Sequence, residues 1–183
     1  MKLTLNVTAP SFHLEDVFER SINLAEYKGK KVMIAFFRHV GCPFCNFRVH
    51  TLTKAHEILK AKNLEMIFFF ESSKTLILKS SFHKDVSPIP IIADPEKKWY
   101  SIYGLEQSAL KSAYSHLTMF IQTAIKAKLK GLPVHAMAGG ESINTMPAEF
   151  LLDENLIIRK LHYAQHLNDR MSIDAVMEFA ENR

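Results

Sequence analysis

Lys31-Val32-Met33-Ile34-Ala35-Phe36-Phe37-Arg38-His39-Val40-Gly41-Cys42-Pro43-Phe44-Cys45-Asn46 contains the only two cysteines among 183 residues. The run Val32–Phe37 is apolar and bulky, the composition of a buried β-strand. From Asn46 to Lys62 the pattern turns helical, with Cys45, Val49, Leu52, His56 and Leu59 on one face at spacings of three and four. A Cys-x-x-Cys pair between a buried strand and a helix start points to redox chemistry, because the helix N-terminus favours the thiolate over the thiol. The plainer alternative is two core cysteines at a helix start.

Cys42 is expected to be the exposed, reactive thiolate. Cys45, one turn further in, is expected to resolve a mixed disulfide or a sulfenic acid. Pro43 lacks a backbone donor and suits the first helical position. Arg38, His39 and Arg48 flank the pair as supporting groups. A cation here lowers a thiol pKa or steadies a developing oxyanion, and a histidine carries protons in the useful range. Solvated surface charge is the other reading of these three residues. His39, Cys42 and Cys45 also fit the spacing of three metal ligands, but without a second cysteine pair no metal site is expected, and no cofactor.

The rest of the composition bounds the setting. A 48% hydrophobic and 23% charged chain of this length buries a core of its own, and its net charge of +4 is weak. Lysines and arginines are scattered among acids, so nucleic acid is not an expected partner. Two cysteines do not make a disulfide scaffold, and no stretch approaches the roughly 18–20 apolar residues of a membrane span. The N-terminus does not read as a signal peptide. A reducing, cytoplasmic setting without a membrane partner is therefore expected.

Along the chain, Asp16–Arg20 reads as a hairpin tip and Leu24–Lys30 as one helical turn stopped by glycine. Leu64–Phe70 reads as a parallel strand covered on both faces. Ser72 or Ser73 is placed to cap a helix running to about Phe82. Ser87–Ala93 is extended, and Asp94-Pro95-Glu96 turns into a short helix closed at Gly104. A longer helix is predicted over Glu106–Lys130. Its apolar stripe of Leu110, Ala113, Tyr114, Leu117, Ile121, Ala124 and Ile125 is assigned to the core, with a dimer, partner or membrane surface as the alternatives. Residues 131–145 read as a loop, Phe150–Tyr163 as a hairpin, and Ser172–Glu181 as a closing helix. The alternation gives an α/β fold with a central mixed β-sheet flanked by helices.

The chain resembles the thioredoxin-like superfamily, and within it the peroxiredoxin-like (AhpC/TSA, alkyl hydroperoxide reductase/thiol-specific antioxidant) branch. Ala9-Pro10-Ser11-Phe12, Tyr27–Val32, Ala93-Asp94-Pro95 with Tyr103-Gly104, and Met146–Asp153 carry the likeness. Cys42-Pro43-Phe44-Cys45 is closest to the glutaredoxin type. Where typical peroxiredoxins have a threonine and a proline before the peroxidatic cysteine, this chain has His39 and Ala35. The resemblance implies a single thioredoxin-like domain over 1–183, with a helical insertion over about 106–145. It also implies a cis-proline at Pro147 that, with Met146, walls the site. The implied activity is an antioxidant thiol oxidoreductase: Cys42 attacks a peroxide or a disulfide, Cys45 resolves, and an external thioredoxin- or glutathione-type thiol restores the pair. A homodimer is compatible with it. A redox sensor or binding module switching through a Cys42–Cys45 disulfide, without turnover, is the alternative.

Overall fold

Val32–Phe37 lies within the middle strand of a five-stranded sheet. The computed structural model describes residues 1–80, 86, 88–131 and 141–182, apart from the side chains at 116 and 118–120. A short antiparallel hairpin, β1 (His13–Glu15) and β2 (Ser21–Asn23), leads through a 3₁₀ turn (Leu24–Tyr27) into β3 (Lys31–Phe37). There follow α1 (Pro43–Ala61), β4 (Leu64–Phe70), α2 (Lys74–Lys79), β5 (Ile91–Ala93) and α3 (Lys98–Ile102). The chain ends with α4 (Ala109–Leu129), β6 (Ala148–Leu152), β7 (Ile158–Tyr163) and α5 (Ile173–Glu181). The sheet order is β5-β4-β3-β6-β7. β3 is parallel to β4, in register from Lys31 opposite Leu64 to Phe37 opposite Phe70, and antiparallel to β6. This is the mixed, helix-flanked sheet that the sequence pattern predicts.

Alternation along β3 and β4 divides the core in two, because successive side chains of a strand point to opposite faces. Met33, Ala35, Phe37, Met66, Phe68 and Phe70 share one cluster with residues of α1, α2 and α5. Val32, Ile34, Phe36, Ile67 and Phe69 share the other with Leu24, Tyr100 and Tyr103. Coverage on both faces is why these strands read as nearly unbroken apolar runs. Phe36 stacks on Phe69 with ring centroids 4.6 Å apart and meets Tyr100, Tyr103 and Phe150 at 5.1, 5.0 and 6.0 Å.

Polar groups tie the ends of this core. Lys31 is buried, and its Nζ donates to the carbonyls of Phe179 (3.0 Å), Ala180 (3.1 Å) and Asn182, where the last helix leaves carbonyls unpaired. Serines cap α2, α4 and α5: Ser73, Ser108 and Ser172 accept from Leu76, Lys111 and Ala175 backbone amides. Gly104 adopts φ 71°, and a Cβ there would stand 2.4 Å from the Met1 carbonyl oxygen, so both conformation and close approach require glycine.

Three sequence expectations change. The Met146–Pro147 bond is trans, and there is no cis peptide bond among the described residues. The trans form is the intrinsically favoured one. With it, the Met146 amide reaches the Glu106 carbonyl (2.9 Å) and the Pro147 carbonyl accepts from Ala164 (3.0 Å). Second, the apolar stripe of α4 faces outward. Among the described side chains of the helix the buried ones are small, Ser112, Ser115 and Ala127. Third, the helix after Ser73 ends at Lys79; Phe82 and Ser87 lie outside the described residues. Among the described residues no helix is long and apolar enough to cross a membrane.

Phe36→Ala is expected to cost roughly 3–5 kcal/mol by opening a cavity among four aromatic rings, lowering Tm by about 10 °C. Ile58→Ala, at a position 53% exposed on α1, should change stability by less than about 0.5 kcal/mol. Thermal and denaturant unfolding of the two variants checks the contrast.

Candidate active site

β3 ends at Phe37 and α1 begins at Pro43, with Cys42 in the N-cap position and Pro43 in the first turn. The five intervening residues are tied down by hydrogen bonds. The Cys42 amide donates to the His39 carbonyl (3.0 Å), the Val40 amide to Ser72 Oγ (3.0 Å), and Asn46 Nδ2 to the Val40 carbonyl (2.8 Å). Val40 and Asn46 are themselves buried, so this turn is part of the core.

Both cysteines are free thiols, and both are buried, Cys42 at 1% and Cys45 at 0% exposure. The expected exposed thiolate is therefore covered. It sits in the apolar cluster with Val40, Phe44 and Met146, because the turn folds back into the sheet rather than out to solvent. Pro147 is buried at the head of β6.

Two arginines meet the sulfurs. Arg38 is fully buried; its Nη1 lies 3.7 Å from Cys42 Sγ and its backbone amide donates to Cys45 Sγ at 3.4 Å. Among the described residues its Nε and Nη2 have no hydrogen-bond partner. Arg170 brings Nη2 to 3.9 Å from Cys45 Sγ, while its Nη1 donates to the Asp169 carbonyl at 2.8 Å.

These contacts split the two thiols. Burial pushes Cys42 up, but the hydrogen bond from the Cys45 thiol, the Arg38 charge, the Cys45 backbone amide and the Arg170 charge outweigh it and bring the pKa down to about 5. Burial, the hydrogen bond that Cys45 gives to Cys42, and the negative charge on Cys42 hold Cys45 well above the ordinary thiol range. Near neutral pH the pair is a Cys42 thiolate accepting from a Cys45 thiol.

The other predicted cations are also buried, which sets aside the reading of solvated surface charge, but they act at a remove. Arg48 forms a fork with Glu149, Nε to Oε1 at 2.7 Å and Nη2 to Oε2 at 2.8 Å. Glu149 Oε2 also accepts the Met171 amide at 3.0 Å, and Arg170 Nε stands 3.9 Å from Oε1. Glu149 thus anchors the turn that carries Arg170. His39 Nδ1 lies 3.8 Å from Glu141 Oε2, and Glu141 pairs with Ser72 as well. Nearby, buried Glu71 accepts from Thr145 Oγ1 (2.7 Å) and the Ser142 amide (3.0 Å) and faces Lys97 Nζ at 3.5 Å. Burial raises its pKa, against the pull of those donors, Lys97 and Arg38.

Arg170, Glu149 and Glu71 are absent from the candidates drawn from the sequence. Glu149 has a signal: it is the lone charge in the apolar run Met146–Leu152. Arg170 has none, being 125 residues from the sulfur it approaches. No group of three or more metal-ligating side chains occurs among the described residues. A groove of about 290 Å³ between α1 and α4 reaches Arg170, with Phe44, Phe47, Arg48, Thr123 and Lys126 along its walls.

The arrangement thus holds a stabilised thiolate, a protonated partner thiol and two guanidiniums able to neutralise negative charge at a sulfur or oxygen. Among solved structures the chain is similar to a reduced 2-Cys peroxiredoxin of Plasmodium vivax, with a TM-score of 0.64, 18% sequence identity, and coverage of 97% of this chain and 80% of that one. No curated protein matches it. Residues 5–161 match the AhpC/TSA family. With most of its length matched and a mixed sheet of the thioredoxin-like, peroxiredoxin type, the chain belongs to the AhpC/TSA family of thiol-dependent peroxidases and oxidoreductases.

Proposed function

We propose that the protein is a dithiol peroxidase in which Cys42 attacks and Cys45 resolves. The reading is carried by the asymmetry of the pair, a Cys42 thiol lowered to about 5 beside a Cys45 thiol held protonated. The Cys42 thiolate displaces on the terminal peroxide oxygen. The O–O bond breaks, the leaving alkoxide or hydroxide takes up a proton, and Cys42 becomes a sulfenic acid. Arg38 and Arg170 offset the negative charge that moves from sulfur to oxygen. Cys45 then attacks the sulfenic sulfur, water leaves, and an intramolecular disulfide forms. An external thiol reductant of the thioredoxin or glutathione type returns two electrons and two protons.

Burial favours a peroxide over a protein disulfide as oxidant. A sulfur 1% exposed is reached more readily by a small peroxide than by a disulfide carried on a folded partner, and the thiol that regenerates the pair meets the same constraint, which favours a small glutathione-type thiol.

Single-turnover mixing of the reduced protein with hydrogen peroxide, followed by mass spectrometry, tests the scheme. Cys42→Ser should abolish fast peroxide consumption. Cys45→Ser should keep the first step and accumulate Cys42 sulfenic acid. If Cys42→Ser reacts as fast as the wild type, the attacker is misassigned. If the wild type consumes one equivalent and stalls in excess dithiol, the protein is a sensor instead of an enzyme.

The pH dependence follows from the depressed thiol. Only the thiolate attacks, so the rate should climb as pH rises through about 5 and stay level across neutrality. Arg38→Met removes the nearest cation and should raise the Cys42 pKa by roughly one unit or more, moving the rise to higher pH. Thiolate absorbance near 240 nm reads the same titration without turnover.

A further inference from the structure

We propose that the groove between α1 and α4 seats the reducing thiol, and that this thiol is a small molecule carrying carboxylates. The inference rests on the dithiol cycle above and adds where its reductant is held. The groove encloses about 290 Å³, near the lower end of small-molecule sites, roughly 300–1,000 Å³. That suits a molecule the size of a short peptide and not a protein domain. One wall is the α1 face of Phe44, Phe47, Arg48 and Thr51, in the first turns after the cysteines. Thr123 and Lys126 of α4 form the other, and Asn168 and Arg170 from the turn after β7 complete it. Arg170 belongs to both groove and sulfurs, since its Nη2 stands 3.9 Å from Cys45 Sγ. A molecule seated here touches the same guanidinium that touches Cys45.

The charge of the groove names its occupant. The described lining holds three cations and no carboxylate. Arg48 is already occupied by Glu149 through hydrogen bonds of 2.7 and 2.8 Å. Lys126 is exposed and enters no ion pair among the described residues. Lys130, with its Nζ 5.2 Å over the Phe47 ring, adds another cation at the same wall. The Arg170 side chain is 8% exposed, and its Nε, 3.9 Å from Glu149 Oε1, makes no hydrogen bond among the described residues. Carboxylates answer these cations. The Thr123 hydroxyl and the Asn168 amide suit amide groups, and the Phe44 and Phe47 rings suit methylenes.

Oxidation strengthens the attraction. Once Cys42 and Cys45 are joined, the thiolate charge that Arg170 helps to hold is gone, and an anion entering the groove meets less repulsion. An anionic hydroperoxide would face that repulsion, because it must bind the reduced form; the reductant binds the oxidised one. The seated thiolate attacks one sulfur of the bridge, the S–S bond breaks, and the other cysteine leaves as a thiolate. A second thiolate of the same kind attacks the mixed disulfide and departs with the first as a small disulfide. The pair has then gained two electrons; Cys42 stays a thiolate and Cys45 takes up a proton.

Calorimetric titration with S-methylglutathione, which keeps the carboxylates but has no thiol, reads binding apart from any redox step. The double variant Cys42→Ser with Cys45→Ser, neutral at both positions as the bridge is, should bind it with a Kd of about 1 mM or tighter, weakening as salt is added. The reduced wild type should bind it more weakly. Lys126→Glu should weaken binding about tenfold, and Lys128→Gln, on the same helix outside the groove, should not. In steady state with hydrogen peroxide, Lys126→Glu should lower the ratio of kcat/KM for glutathione to that for 2-mercaptoethanol by about tenfold. Circular dichroism and thermal unfolding verify that each variant keeps its fold. No binding by either protein, undiminished binding by Lys126→Glu, or an unchanged ratio overturns the proposal. Inhibition by S-methylglutathione that competes with an organic hydroperoxide bearing a carboxylate, and not with the thiol, assigns the groove to the oxidant and overturns it too. Failure of the dithiol cycle itself shows differently: peroxide is then not turned over with 2-mercaptoethanol, which needs no groove, and the proposal falls with it.

Discussion

A guanidinium sealed from solvent at the end of the central strand is the constraint around which this molecule is arranged. Arg38 follows β3 directly and is fully buried, in a place where a lone cation is far less stable than in water. The nearest sulfur, Cys42 Sγ at 3.7 Å, supplies negative charge as a thiolate. Each ion thus makes the other tolerable. The rigid turn between β3 and α1 keeps them together, and the strand register delivers both to the same end of the sheet.

Glu149 plays the corresponding part for the second arginine. β6 places it opposite Ala35 of β3, so its carboxylate stands at the sheet and not at the surface. From there it binds Arg48 of α1 and the Met171 amide after β7. One carboxylate therefore joins a helix, a strand and a distant turn, and it holds Arg170 close enough to act on Cys45. Glu149 and Glu71 offset part of the positive charge of Arg38, Arg48 and Arg170, and the Cys42 thiolate adds to that balance.

Much of this was open to reading from the chain itself, and the exceptions have physical causes. Val32–Phe37, Leu64–Phe70 and the helix after Cys42 declare themselves because burial on two faces, or on one, writes a period into the sequence. The capping serines at 73 and 172 mark helix starts for the same kind of local reason, whereas Ser108 caps a helix that the pattern begins at Glu106. Periodicity in α4 marks a stripe but not its direction. Ser112, Ser115 and Ala127 are buried although two of them are polar and all are small, and a hydrophobicity pattern cannot register that. Arg170 is brought to Cys45 only by tertiary folding. The cysteine pair, Arg38 and Arg48 were visible as candidates; their burial, and the division of labour between them, depends on Glu149 and the turn geometry. The bond before Pro147 takes the intrinsically favoured trans form, which the motif likeness did not convey.

The stabilised Cys42 thiolate also bears on the thermodynamics of electron exchange. Joining Cys42 to Cys45 removes the thiolate charge beside Arg38 and Arg170 and leaves the two guanidiniums against a neutral bridge, with Glu71 and Glu149 as the carboxylates near them. The dithiol form is thereby favoured over the disulfide, which raises the reduction potential of the couple, as in thiol oxidants whose reduced state is stabilised. A bridge formed here is electrostatically loaded, and it gives up its oxidising equivalents readily to the next thiol that reaches it.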